Sequence, residues 1–473
     1  MIISLKDNQY KAVPWDETVN ADASLNDKQQ ELLKNFSGVS LKKLSENKEY
    51  GNFLVFPSKS AKNELEDKDY IFKLVGKDPA KPSFLTGNVM GFFRLGDDVQ
   101  MRITSRFDQS GKNFFLHYML QKICNVAVVP QETDTEQDDF FDFLYYLFPK
   151  YLNDACRQGI YRAYVTREYN DASVRGPIDV ARHIRFNTPF NGKIAYHTRE
   201  YTTNNKVTQL IRHTIEYIRS LKFGSSVFEN NEDARDNEKD IVAATPTYIK
   251  NSRHQVIGQN LHPITHPYYT AYEPLRKLCL AILCHKKMSY GSDNDNPIAG
   301  ILFDGASLWE EYLAKVFEEN GLGLTHSNNR SGGNGISLLN GGRKNHYPDF
   351  YRKKKDGRNA IVLDAKYKRL YHDYDDEFEN SMSNAPIYKG GDVMQMLAYM
   401  HALEAQTAIL LSPFESSREG AELQMDFKET CGYNSKVGSV GLPIYTGVAG
   451  FAEFSNNMKK VEKAFLDRIK EFL

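Results

Sequence analysis

From Phe114 the chain takes up a helical rhythm. In "FFLHYMLQKI" and again in "DDFFDFLYYLFPKYLNDACRQ", residues 138 to 158, apolar residues recur three and four apart, the spacing of a helix that buries one stripe. Pro149 within the second run predicts an interruption or kink. The same period predicts helices over about 206–221 and 274–287, so 111–294 is expected to be a mainly helical middle domain. Ahead of it, "NVMGFFRL", a Gly96-Asp97-Asp98 turn and the alternating "VQMRITSRF" predict a hairpin inside a β-rich N-terminal domain, residues 1–110. The nearly apolar-free "ENNEDARDNEKD" (229–240) is expected to be an exposed loop. The turn-rich "SYGSDNDNP" (289–297) predicts a linker, with a third domain over 295–473.

In that third domain the order of elements is informative. "ASLWEEYLAKVFEEN" predicts a helix N-capped by Ser307, with an apolar stripe through Leu308, Trp309, Tyr312, Leu313, Val316 and Phe317. A glycine-rich connection, a hairpin in "HYPDFYRKKKDGRNAIVLDAKYKRL" (346–370), a helix over about 392–405 and the buried-strand run "TAILLS" follow. Helix, strands, helix, strand predicts a mixed sheet flanked by helices, so the fold class is α/β (α+β) multidomain.

The hairpin holds charges where a strand favours Val or Ile. Asp356-Gly357 suits a two-residue type I′ turn. Counting outward from it, paired residue numbers sum to 713, which sets Asp349 opposite Asp364. Facing side chains lie about 4.5 to 5.5 Å apart at Cβ, and like charges there are unfavourable without compensation. Lys366, two residues beyond Asp364, shares that face at about 6.6 Å, while Ile361, Leu363 and Ala365 point away. The apolar face is expected to hold the sheet and the charged face to be free for chemistry. Two facing carboxylates call for a cation, and hard ions such as Mg²⁺ use one or two carboxylates together with phosphate oxygens. Lys366 could orient or deprotonate an attacking water. A solvated hairpin in which Lys366 neutralises an acid is the bland alternative. Glu310 flanks the first helix's apolar stripe and is either a further ligand or the partner of Ser307 in a capping box. Gln395 and Tyr399 stack four apart on the later helix, where Asp392-x-x-Gln395 could equally be a cap.

Composition narrows the class without deciding it. With 60 Lys and Arg against 61 Asp and Glu the formal net charge is −1, so nucleic-acid contact must come from local patches, such as "RKKKDGR" at the hairpin tip. Five scattered cysteines, none in C-x-x-C spacing, suggest neither a disulfide framework nor zinc. "HPITHP" sets two histidines four apart, but its prolines predict a loop. The N-terminal residues lack a signal-peptide pattern and no run is apolar enough to span a bilayer, so the expected location is cytoplasmic, with no membrane partner.

Pro348-Asp349, Asp364-x-Lys366 and Gln395-x-x-x-Tyr399 together resemble the PD-(D/E)XK nuclease superfamily, and 307–412 resembles its αβββαβ restriction-endonuclease-like core. Over about residues 85–415, including "LWEEYL", "DVMQMLAYM", "RGPIDVARHIRF" and "REYTTNNKVTQLIRHTIEYI", the chain is similar to the McrC family, the nuclease subunit of McrBC-type modification-dependent restriction systems. The resemblance implies Mg²⁺-dependent (Mn²⁺ also serving) endonuclease cleavage of DNA, in anti-phage defence, by a subunit that binds and stimulates a McrB-like AAA+ GTPase. It implies Asp349 and Asp364 as metal ligands, Glu310 as an auxiliary ligand, Lys366 as the water-activating lysine, and Gln395 and Tyr399 as supports. It also implies motor engagement by the N-terminal domain, for which Arg102 or Arg106 are candidates. No G-x-x-x-x-G-K-[ST] loop occurs, so an NTP site is expected in the partner. The competing readings are a non-catalytic nuclease-fold scaffold and an autonomous nuclease of the same superfamily.

Overall fold

The computed structural model describes all residues except 10, 20–23, 47–52, 57–69, 96–98, 110, 125–137, 222–223, 230, 291–299, 328–334, 341–344, 355–359, 372–389 and 432–433. A five-stranded sheet near the N-terminus runs in the order Ile2–Lys6, Val99–Thr104, Val89–Leu95, Gly300–Asp304, Phe53–Phe56. The expected hairpin is present, with Gly91 opposite Ile103 and Leu95 opposite Val99; its Gly96-Asp97-Asp98 turn lies outside the described residues. Strand Gly300–Asp304, beyond the expected boundary at 294, pairs with Val89–Leu95 and Phe53–Phe56. The five residues "GILFD" therefore belong with the N-terminal sheet, and the third domain's first helix starts directly from it.

The middle of the chain is helical where apolar period predicted it: Phe114–Cys124, Asp138–Cys156, Lys206–Arg219 and Tyr272–Tyr290. Helix Asp138–Cys156 continues across Pro149. Helix Lys206–Arg219 is fixed at its start by Asn205, whose side chain accepts from the Val207 and Thr208 amides while the Thr208 hydroxyl accepts from the Asn205 amide. Residues 229–240 correct the loop expectation: Glu232–Ala244 is a helix. The Asn231 side chain accepts from the Ala234 amide, Glu232 and Asp233 sit in the first turn, where acids favour the helix dipole, and Ala234 and Ile241, two turns apart, are buried. Two well-placed apolar residues and a cap sufficed.

The middle also holds a hairpin that helical period did not predict, Ala163–Asp171 with Ile194–Thr202, carrying helix Val180–Asn187. Val180, Ile184, Phe186 and Phe190 are exposed on this arm, a surface of the kind that marks protein contacts. Among the described residues, no helix is long and apolar enough to cross a membrane.

The third domain is built on a six-stranded sheet in the order Thr325–His326, Phe350–Arg352, Ile361–Ala365, Thr407–Glu415, Lys436–Ile444, Gln424–Glu429. Helix Gly305–Glu319 packs against one face, where Ile361, Leu363, Ile409 and Leu411 join Trp309 and Tyr312 in the main core. Helix Gly390–Leu403 covers the other, where Val362 and Leu410 meet Met396, Tyr399 and Met400. Strand alternation thus feeds two cores, which is why "IVLDA" reads as a nearly continuous apolar run. The Trp309 indole donates to the Leu411 carbonyl at 3.1 Å and fastens the first helix to the sheet.

Candidate active site

Phe350 faces Leu363, Tyr351 faces Val362 and Arg352 faces Ile361. Each pair sums to 713, the register expected from sequence, although the Asp356-Gly357 turn lies outside the described residues. Counted one step further, Asp349 and Asp364 fall opposite each other at the strand end. Asp349 Oδ2 reaches across to accept from the Ala365 amide at 2.7 Å, and the Asp349 carbonyl accepts from the Ser327 amide. The face these residues share differs from expectation. Helix Gly390–Leu403 covers it, and Asp364 is only 1% exposed.

Burial governs the electrostatics. Asp349 is partly exposed as a residue, but its carboxylate is ringed by protein; this burial, with the Asp364 and Glu310 charges, holds its pKa well above the usual carboxylate range. Burial also raises Asp364, against the opposing pull of Lys366, whose Nζ lies 2.5 Å from Asp364 Oδ2. For Lys366, burial alone favours the neutral amine. The Asp364, Asp349 and Asp392 carboxylates outweigh it, and the lysine pKa is raised.

The remaining expected residues converge on that lysine from helix Gly390–Leu403. Lys366 donates to Gln395 Oε1 at 3.4 Å, and Gln395 Nε2 donates to the Tyr399 hydroxyl at 3.0 Å. Asp392 is no cap partner of Gln395. Its carboxylate takes Lys368 Nζ at 3.0 Å to both oxygens and stands 4.0 Å from Lys366 Nζ. Glu310 is released from its other proposed role too, because the helix cap is Asp304, accepting from the Ala306 and Ser307 amides, rather than Ser307. Glu310 Oε1 instead meets His326 Nε2 at 2.8 Å, with the His326 ring stacked on Phe350 at 5.0 Å.

Neither His326 nor Lys368 is singled out from sequence, which offers Asp392 only as a cap. Lys368 carried a signal, since Asp364, Lys366 and Lys368 alternate along one face. His326 carried none, because only strand pairing brings residue 326 beside 350. Arg106 is corrected as a motor contact: it is 2% exposed and paired with Asp7. Arg102 is partly exposed and donates to the Gly111 carbonyl at 2.9 Å at the surface.

Among the described residues, no three His, Cys, Asp or Glu side chains gather closely enough to hold a metal ion. Lys366 lies against Asp364, and His326 holds Glu310. The donor set nevertheless suits a hard divalent cation: carboxylate oxygens at a sheet end, with ionisation suppressed by burial and mutual repulsion that a cation would relieve. A cavity of about 460 Å³ opens beside His326 and Phe350, lined also by Lys150 and Lys315. A cavity of about 710 Å³ between strand Gln424–Glu429 and helix Phe451–Lys470 contains none of these carboxylates.

The family described as "McrBC 5-methylcytosine restriction system component" matches residues 85–413. No curated protein matches the chain. Among solved structures, the chain is similar to one in a refined half-complex from a tetradecameric assembly of Thermococcus gammatolerans McrB AAA+ hexamers with bound McrC. That match has 14% identity and TM-score 0.45, covering 98% of this chain and 100% of the other. A chain in the cryo-EM structure of the Thermococcus gammatolerans McrBC complex is similar at 13% identity and TM-score 0.29, covering 68% and 88%.

Proposed function

Since the chain belongs to the family of McrBC 5-methylcytosine restriction system components, we propose that it is the DNA-cleaving subunit of such a system, a Mg²⁺-dependent endonuclease of PD-(D/E)XK type. The observation that carries this reading is the pairing of two enclosed carboxylates, Asp349 and Asp364, with a half-buried lysine at one strand end. An ordinary hairpin has no use for that cost.

In this reading Asp349 and Asp364 hold the metal, with Glu310 as auxiliary ligand kept in place by His326. The metal, when bound, would neutralise charge gathering on the phosphoryl and leaving oxygens. Lys366 supplies a fixed cation beside the scissile phosphate and orients the attacking water. Gln395 holds the Lys366 ammonium and Tyr399 holds Gln395. Asp392 binds Lys368 and adds to the Asp364 and Asp349 charges that keep Lys366 protonated.

A component of a restriction system acts with others, and we assign this chain an AAA+ GTPase partner that it binds and stimulates, with DNA, modified or not, as substrate. Besides the N-terminal domain, where Arg102 stays partly exposed, the partner contact is assigned to the arm bearing exposed Val180, Ile184, Phe186 and Phe190. The test is incubation of the chain and its GTPase partner with plasmid DNA, GTP and Mg²⁺. Linear or nicked product that disappears on chelation is expected; intact plasmid would overturn the reading.

A further inference from the structure

One buried cluster outside the carboxylate site reaches it through a single peptide bond. Tyr367, next to Lys366, is 3% exposed and points away from the carboxylates into the N-terminal sheet. Its hydroxyl lies 2.8 Å from Ser105 Oγ. Its ring packs edge-on to Phe107 at 5.1 Å and under the Arg106 guanidinium at 4.8 Å. Arg106 is fixed in turn: its amide donates to Asp7 Oδ1 at 2.6 Å, its Nη2 donates to Asp7 Oδ2 at 2.7 Å and to Asn88 Oδ1 at 2.6 Å. Asp7 is fully buried.

Two more bonds tie this cluster to the site. The Arg369 guanidinium donates to the Arg106 carbonyl at 2.9 Å. The Gly305 amide, opening the helix that carries Glu310, donates to the Asn88 carbonyl at 2.9 Å. A Cβ on Gly305 would meet the Tyr367 ring at 2.6 Å, so a side chain there would push the tyrosine aside.

Successive side chains from 366 to 369 thus divide between two bodies. Lys366 and Lys368 go to Asp364 and Asp392; Tyr367 and Arg369 go to the 105–107 turn. A buried ion pair is a poor way to gain stability compared with apolar packing, but it fixes geometry, and here what it fixes is the residue beside the lysine. We propose that Tyr367 is a positioning residue for Lys366, clamped by Ser105 and the Asp7–Arg106 pair so that the N-terminal sheet sets where the lysine stands.

For catalysis the proposal rests on the nuclease reading, so its test has a readout that needs no cleavage. In the full chain, Tyr367→Phe keeps the ring and removes the hydroxyl, and Ser105→Ala removes the partner. Tyr272→Phe serves as control, because it deletes a comparably buried hydroxyl bonded to the Gly159 carbonyl far along the chain. Hydrogen exchange at amides 365–371 and 305–310 is expected to quicken about five- to tenfold in both clamp variants, the effect of one lost buried bond, and to stay at the wild-type rate in the control. With the GTPase partner, plasmid DNA and Mg²⁺, kcat is expected to fall about 10- to 100-fold at unchanged KM, as a misplaced catalytic group requires. Exchange and kcat matching the control in both variants would overturn the clamp. Quickened exchange in a chain whose wild type cuts no DNA would support the clamp and overturn the nuclease reading instead.

Discussion

Lys366 Nζ lies 2.5 Å from Asp364 Oδ2, on a sheet face flanked by helix Gly390–Leu403. The two charges are the local substitute for each other's hydration. Lys366→Met should therefore strand an ionised or forcibly protonated carboxylate, at a cost of about 3 to 5 kcal/mol. Thermal melting checks this. The loss should be partly recovered by Mn²⁺, and by a larger increment than wild type shows; a variant as stable as wild type without metal would contradict the pairing.

The carboxylate pair predicts a pH dependence whose sign follows from the raised pKa values of Asp349 and Asp364. The folded state holds these protons more tightly than the unfolded chain, so their contribution is favourable at low pH and is lost as pH rises above the ordinary carboxylate range near 4. A divalent cation binds the ionised form and acts oppositely. The rise in Tm on adding Mn²⁺ should be larger at about pH 8 than at about pH 5, and Asp349→Asn should raise the metal-free Tm at the higher pH while shrinking the metal increment. Equal increments at both pH values in wild type would count against a carboxylate-held metal.

His117 predicts the opposite limb. It is buried between the rings of Tyr146 and Phe451, and burial pushes its pKa down to about 3. The neutral ring's contribution is complete above the unfolded value of about 6.5 and is lost as pH falls toward 3, by about 1.4 kcal/mol for each pH unit crossed. His117→Phe should flatten the stability profile in that interval, as followed by chemical denaturation; an unchanged acid limb would place the loss elsewhere.

Much of the hairpin was legible because strand geometry is local. The Asp356-Gly357 signal fixed a register that the observed Phe350–Leu363 pairing shares. What surrounds it was less so. Asp304 displaced Ser307 as cap because "GILFD" is a strand, and only partners at Phe53–Phe56 and Val89–Leu95 make it one. His326 and Tyr367 depend on contacts 16 and 262 residues away in sequence, which no periodicity encodes. The helix Glu232–Ala244 was hidden by its charge, since its two buried residues, Ala234 and Ile241, leave almost no apolar stripe.

The arm offers a test of partnership separate from chemistry. Ile184 and Phe190 are 60% and 68% exposed, so Ile184→Ser with Phe190→Ser should change folding stability by no more than about 0.5 kcal/mol at each site. Copurification with the AAA+ partner and stimulation of its GTP hydrolysis should both drop at least about tenfold, the effect of about 1.4 kcal/mol of lost contact. Full stimulation by the double variant would move the contact to another surface.

DNA hydrolysis is proposed for the Asp349, Asp364 and Lys366 end of the sheet. Its most direct test is plasmid cleavage in Mg²⁺ by the chain assembled with its GTPase partner, comparing wild type with Asp364→Ala. Loss of all cleavage in the variant, with GTPase stimulation and assembly intact, is the predicted result. Cleavage at the wild-type rate by Asp364→Ala would place the nuclease site elsewhere.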